Sequence, residues 1–298
     1  MLLERQKITD YFQNLQKNIC KSLEEADGKS SFFSEKWERE EGGGGITNVF
    51  QDGNIWEKGC VNFSAVSGKM PEVLAKRDAF GEGNFFATGV SIVLHTHNPF
   101  VPIIHMNVRY FEMNQEKAWF GGGIDLTPHY IQEDDAKFFH QQLKNACDKF
   151  SPDYYNEFKK WADDYFYIKH RNETRGIGGI FFDRLNQNEQ FSWQDRFDFV
   201  QTIGNSFIPT YLPIVQKNKN KDYTQKHKDW QLYRRGRYVE FNLVYDAGTK
   251  FGLETSGRIE SILLSLPKQA QWIYDLKPEK NTPEFHTLSL LKKEIDWV

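Results

Sequence analysis

The stretch FFATGVSIVLHTHNPFVPIIHMNVRYFE, residues 85–112, decides how the chain folds. Two runs rich in β-branched and aromatic residues flank THNPF, and Asn-Pro is turn chemistry, so the spacing predicts a hairpin with strands at about 86–95 and 102–112. Side chains alternate along a strand, so His105, Asn107 and Arg109 share one face, and Ile104, Met106, Val108 and Tyr110 share the other. An antiparallel partner sets Ser91 and His95 beside the His105–Arg109 row. The apolar face needs a core. The polar face either meets solvent or floors a site, and His97 falls in the turn.

Neighbouring stretches extend this pattern. NIWEKGCVNFSAVSG (54–68), KAWFGGGIDL (117–126) and RGIGGIFFDRL (175–185) read as further strands, and GRYVEFNLVYD (236–246) alternates as another. Apolar Ile8, Phe12, Leu15, Ile19 and Leu23 recur at helical steps within residues 3–26. Helical periodicity returns at 131–168, in two segments split by SPDYY with Ser151 before Pro152 as a cap. It returns again at 192–217, at the start of SGRIESILLSLP, and at 278–297. EGGGGITNVFQDG (41–53) reads as a mobile loop or linker, because four glycines cannot hold a helix. Strands in adjacent runs joined by short turns predict an α+β fold. It is a single domain over residues 1–298, with a large antiparallel sheet covered by helices.

Composition narrows the function. A formal charge of −3 over 298 residues gives no bulk attraction to nucleic acid or an anionic membrane. No run of about eighteen apolar residues occurs, and the N-terminal stretch lacks a signal-peptide core. The three cysteines fit neither a zinc spacing nor a disulfide framework, so a reducing, cytoplasmic setting is expected. Aromatic residues reach 15%, enough for extensive packing or for gripping a flat apolar ligand.

Several residues carry chemistry. Gly121, Gly122 and Gly123 weaken a strand, which is explained if something flat lies against the backbone, and Asp125 follows directly as a possible acceptor for ring N–H groups. Arg175, Gly179 and Asp183 repeat the theme. The arginines of YRRGRYVE, together with Arg258 near a helix start, suit a polycarboxylate ligand. No short histidine motif for metal occurs, so a metal site would have to assemble from distant segments. His105 is the best acid/base candidate, since an imidazole titrates near neutrality.

WFGGGIDLTPHY, HMNVRYF, YFYIKHRNETRGIGGIFFD and RRGRYVEFNLVYDAGTKFGLETSGRIESILLSLP together resemble the oxygen-dependent coproporphyrinogen III oxidases, from about residue 42 to the C-terminus. The resemblance implies a roughly seven-stranded antiparallel sheet between helices, a homodimer, and no organic cofactor. It implies dioxygen-driven decarboxylation of the ring A and B propionates of coproporphyrinogen III, giving protoporphyrinogen IX. By the same resemblance His105 is the proton donor, and Ser91, Asn107, Val108, Arg109, Ser256, Gly257 and Arg258 bind substrate. Asp125, Arg175 and Asp183 serve activity, and His95, His105, His140 and His170 are ligands of a divalent metal, manganese being the usual one. Three positions depart from the family pattern: Ile46 for an arginine, Arg184 for an acid and Ser256 for a glycine. Two rivals remain open on residues alone, a metal-dependent oxygenase for another substrate and a non-catalytic tetrapyrrole carrier.

Overall fold

The structure is a computed structural model that describes residues 3–70, 82–254 and 258–298. Seven strands form one antiparallel sheet: β1 (Phe33–Glu38), β2 (Gly43–Gln51), β3 (Trp56–Lys69), β4 (Asn84–Thr96), β5 (Ile103–Met113), β6 (Lys117–Thr127) and β9 (Gly179–Leu185). They lie side by side in chain order, so the sheet is a meander whose last strand arrives after a helical excursion. A two-stranded ribbon, β7 (Tyr167–Ile168) with β8 (Glu173–Thr174), lies in that excursion. The described helices are α1 (Arg5–Asp27), α2 (Glu133–Cys147), α3 (Tyr154–Tyr165), α4 (Trp193–Asn218), α5 (Gln225–Val244), α6 (Ala247–Glu254), α7 (Ile259–Leu263) and α8 (Pro283–Leu290).

The predicted hairpin is present as β4 and β5, with Ser91 opposite Asn107 and Val93 opposite His105. Its apolar face carries Val90, Ile92, Leu94, Ile104, Met106, Val108 and Tyr110, all buried in the main core with side chains of α1 and α4. Each such side chain contributes about 1.5–3 kcal/mol on burial. All five apolar positions read in α1 are buried, and Gly28 closes that helix in the left-handed conformation. The opposite face of the sheet is covered in part. Tyr238 of α5 packs on Cys60, Val93 and Ile103, and Phe241 packs with Phe166. Segment 258–266 crosses the same face, where Ser261 Oγ bonds Thr47 Oγ1 at 3.0 Å and Lys58 Nζ donates to the Leu266 carbonyl at 2.8 Å.

Four sequence expectations change. The glycine run is not a loop: Gly43, Gly44 and Gly45 lie in β2, all three paired with β3 and the last two also with β1, so ladder hydrogen bonds offset their entropy. The Trp37 indole lies over Gly45, where a methyl group would collide with the ring. GRYVEFNLVYD is not a strand but the second half of α5. The buried side of that helix carries Arg234, Arg235 and Arg237, which pair with Glu173, Glu57 and Glu240, so its helical period is written partly in charge and hidden from a hydrophobic reading. The terminal helix spans only Pro283–Leu290, capped by Thr282, after which the Leu291 carbonyl accepts from Thr174 N–H. Ser151 Oγ accepts from the Asp153 N–H at 3.3 Å, but α3 itself begins later than expected, after Asp153.

Glu240 ties α5 to the ribbon. Its carboxylate accepts from Arg171, His170, Arg237 and Trp272 at 2.7–3.0 Å. Burial opposes its ionisation, but the hydrogen bonds from Arg171 and His170 outweigh that and hold it at about 2, below its ordinary 4.5. A lowered carboxyl pKa contributes stability that is full above pH 4.5 and is lost as pH falls toward 2. Glu240→Gln is expected to lower stability by about 1–3 kcal/mol at neutral pH. It should also flatten the acid limb of the stability curve, as measured by urea unfolding between pH 2 and 7. An unchanged acid limb would exclude this role.

Candidate active site

Register builds the polar face in rows. Val93, His105, Asp125 and Gly179 align across β4, β5, β6 and β9. Ser91, Asn107, Gly123 and Phe181 form the next row, and Gly89, Arg109 and Gly121 the one beyond. The rows continue through Asn62 and Ser64 of β3 to Thr47 and Gly45 of β2.

The centre of the first row is a linear set of charges. Asp125, only 2% exposed, accepts from His105 Nδ1 at 2.7 Å on one oxygen and from the Arg175 guanidinium at 2.6 Å on the other. Arg175 is as deeply buried; it donates to Asn242 at 2.9 Å and lies within 4.4–4.8 Å of the ring centres of Phe166, Tyr238 and Phe241. Burial opposes ionisation of Asp125, but the Arg175 charge and the His105 hydrogen bond prevail and hold the carboxyl below its usual range. A carboxylate can only accept, so Nδ1 of His105 carries the proton and Nε2 is the nitrogen left to exchange one. His105 remains 22% exposed, and Phe166 stands edge-on to its ring.

The third row is an open floor. Arg109 crosses Gly121 to reach Asp183 at 3.0 Å and also donates to Asn107 Oδ1 at 2.7 Å. A methyl group at Gly121 would run into the Asp183 carboxylate and come within 3.0 Å of Arg109 Nε, so this glycine is required by the ion pair above it. Arg109 and Asp183 are both about a third exposed. Phe111 and Trp119 stack with ring centres 4.6 Å apart on the next row. At the other edge of the sheet a cleft of about 370 Å³ is lined by Glu35, Thr47, Arg258 and Ser261, with Arg258 paired to Glu35.

The remaining candidates fall as follows. Ser91 and Asn107 lie on the polar face, whereas the Val108 side chain points into the opposite core, leaving only its backbone on the side of the site. Ser256 and Gly257 lie outside the described residues. Asp125 has both oxygens engaged within the protein, so it stands behind His105 rather than facing a ligand. Ile46 packs against the core and Arg184 lies beside Trp119.

The four histidines expected as metal ligands do not converge. Among the described residues no group of three or more His, Cys, Asp or Glu side chains converges as a metal site. His140 has both ring nitrogens bonded, to Tyr155 Oη and the Ile177 carbonyl at 2.9 Å, and burial pushes it down to about 3. His95 Nε2 donates to the Ser265 carbonyl at 2.8 Å, and His170 is held by Tyr245 and Glu240. His105 is committed to Asp125. The four rings serve four separate hydrogen-bond networks, and this donor set does not fit a shared divalent ion.

Sequence reasoning missed the aromatic and amide support of Arg175. Phe166, Tyr238, Phe241 and Asn242 come from α5 and the end of α3. Misreading α5 as a strand removed the only signal for them.

The arrangement defines a class: an α+β protein presenting a carboxylate-held histidine and a partly exposed arginine over a side-chain-poor sheet. Comparison with known proteins gives the family. The family model for coproporphyrinogen III oxidase matches residues 7–297. The chain is 51% identical over 299 residues to coproporphyrinogen-III oxidase 1, chloroplastic, of Arabidopsis thaliana, covering 95% of this chain and 76% of that protein. It is 50% identical over 308 residues to the oxygen-dependent coproporphyrinogen-III oxidase of Drosophila melanogaster, covering 99% and 78%. The chain belongs to the coproporphyrinogen III oxidase family.

The two ion pairs of the site should differ in stability. Asp125→Ala leaves the Arg175 charge buried and unpaired, an expected loss of about 3–5 kcal/mol. Arg109→Ala removes a half-open pair and should cost less than about 1 kcal/mol. Equal losses in urea unfolding would overturn this assignment.

Proposed function

We propose that the polar face of the sheet is where this enzyme decarboxylates coproporphyrinogen III with dioxygen, and that His105 is its proton donor. One observation carries the reading. Asp125 and the buried Arg175 hold the Nδ1 side of His105, which leaves Nε2 as the free ring nitrogen of a residue on the same sheet face as Asn107 and Arg109. A tetrapyrrole needs a broad surface with few side chains and cations at its rim. The floor spans about 19 Å from Arg109 on β5 to the Arg258–Glu35 pair on β1, counting four strand spacings. In the free protein Asp183 and Glu35 occupy these guanidiniums, and substrate propionates exchange with them.

Each propionate loses carbon dioxide and a hydride equivalent to become a vinyl group. Dioxygen accepts the hydride equivalent and one proton to become hydrogen peroxide. The two electrons leave the side chain with the broken C–H bond, and the pair from the broken C–C bond forms the new double bond. The single proton is the one His105 Nε2 is placed to supply, with Asp125 stabilising the imidazolium that donates it. Ser91 and Asn107 lie alongside as substrate contacts.

The reading extends to a homodimer and a cytoplasmic setting. Leu243, Val244, Leu253 and Ile259 are each at least 43% exposed, apolar surface that a second copy would cover. Cys20, Cys60 and Cys147 are buried free thiols, as a reducing compartment allows. No described helix is long and apolar enough to cross a membrane.

Purified protein supplied aerobically with coproporphyrinogen III should yield two carbon dioxide and two hydrogen peroxide per protoporphyrinogen, the product read by fluorescence after its oxidation to protoporphyrin. His105→Ala should lower kcat by about 10²–10⁴-fold. Arg109→Ala should act chiefly on KM, raising it about tenfold or more. Near-normal kcat in His105→Ala would remove the proton-donor role. Sedimentation of the wild type as a dimer, shifted toward monomer by Leu243→Glu with Val244→Glu, tests the assembly. A wild-type monomer would refute it.

A further inference from the structure

We infer that Asn62 is a substrate-positioning residue whose side-chain amide accepts a hydrogen bond from a ring N–H of the tetrapyrrole, which deepens the proposed function and rests on it. Asn62 stands on β3 directly opposite Ser91 of β4, which stands opposite Asn107 of β5. Its side chain therefore shares the face of His105 and Arg109 and lies inside the span between the two rim arginines. On its other side it faces Thr47, which lines the cleft beside Arg258.

The argument turns on a hydrogen-bond account. Buried polar atoms are nearly always paired, and one left alone costs free energy comparable with a lost hydrogen bond. Asn62 Oδ1 is buried and finds no partner among the described residues. Two other polar groups of its row are already engaged: Thr47 Oγ1 bonds Ser261 and Trp37, and Asn107 Oδ1 accepts from Arg109, while Asn62 Oδ1 makes no hydrogen bond to Ser91 opposite it. A porphyrinogen turns pyrrole N–H donors toward any surface it lies on, and those donors need acceptors. Asp125 is 2% exposed and already partners two donors, His105 and Arg175. Asn62 is an acceptor on the floor whose capacity the protein itself leaves unused, which suits a neutral N–H donor rather than a propionate.

The test compares Asn62→Leu, which removes the acceptor at similar volume, with Asn62→Asp, which keeps it. The measurements are KM and kcat with coproporphyrinogen III, Kd for the unreactive coproporphyrin III by fluorescence quenching, and the thermal midpoint. Asn62→Leu should raise KM and Kd about three- to tenfold, the worth of one hydrogen bond, with a midpoint no lower than that of the wild type. Asn62→Asp should stay within about twofold of wild type. Wild-type KM and Kd in Asn62→Leu would overturn the proposal, as would a lowered midpoint with equal defects in both variants, which marks a structural role. Failure of the wild type to turn over coproporphyrinogen III while still binding coproporphyrin III would sink the oxidase reading and leave Asn62 testable through Kd alone.

Discussion

The structure of the site depends on one buried carboxylate. Asp125 lies between a fully buried guanidinium and a half-buried imidazole, and each of its oxygens serves one of them. Taking both charges out of water is expensive, and an apolar pair of the same volume would hold the fold as well or better. What the pair adds is direction. Arg175 keeps Asp125 ionised, Asp125 keeps the proton on Nδ1 of His105, and the chemistry is confined to Nε2. Two strands, a connecting segment and a helix must keep their places for this, since His105, Asp125, Arg175 and Asn242 come from β5, β6, the segment before β9, and α5.

The same strands divide their labour by parity. On β5 the even positions Ile104, Met106, Val108 and Tyr110 anchor the core, and the odd positions His105, Asn107 and Arg109 make the site. A one-residue slip would exchange the two sets, so the packing that stabilises the sheet also sets the geometry of the chemistry. The glycines of β6 complete the arrangement. Gly121 leaves room for Arg109 to reach Asp183, and this pair is exposed enough to exchange its carboxylate for a ligand's at small cost.

The sheet was legible in the sequence because its signal is local. Alternation in residues 85–112 and the block KAWFGGGIDL place β4, β5 and β6 with the right faces. The pairing of His105 with Arg109 on one face followed from period two alone. What was not legible is what depends on distant partners. Helix α5 buries arginines whose neutralising glutamates lie on β3, in the ribbon and within α5 itself, so its period looked wrong until those partners were in place. The glycines of β2 read as a loop because the indole that lies over Gly45 comes from another strand. The family resemblance offered four histidines as a ligand set, and only the fold shows each one engaged separately.

That last difference bears on how the proton is managed. A histidine bound to a metal gives up the lone pair with which it would take a proton. His105, held instead by a carboxylate at Nδ1, keeps Nε2 free to cycle between donor and acceptor. The charge this cycle creates on the imidazole falls beside Asp125, whose ionised state Arg175 maintains at no cost to the exposed floor. The buried half of the site thus absorbs the change in protonation. In the proposed reaction the open half, glycines and rim arginines, is left to hold the ligand, apart from the groups that handle the proton.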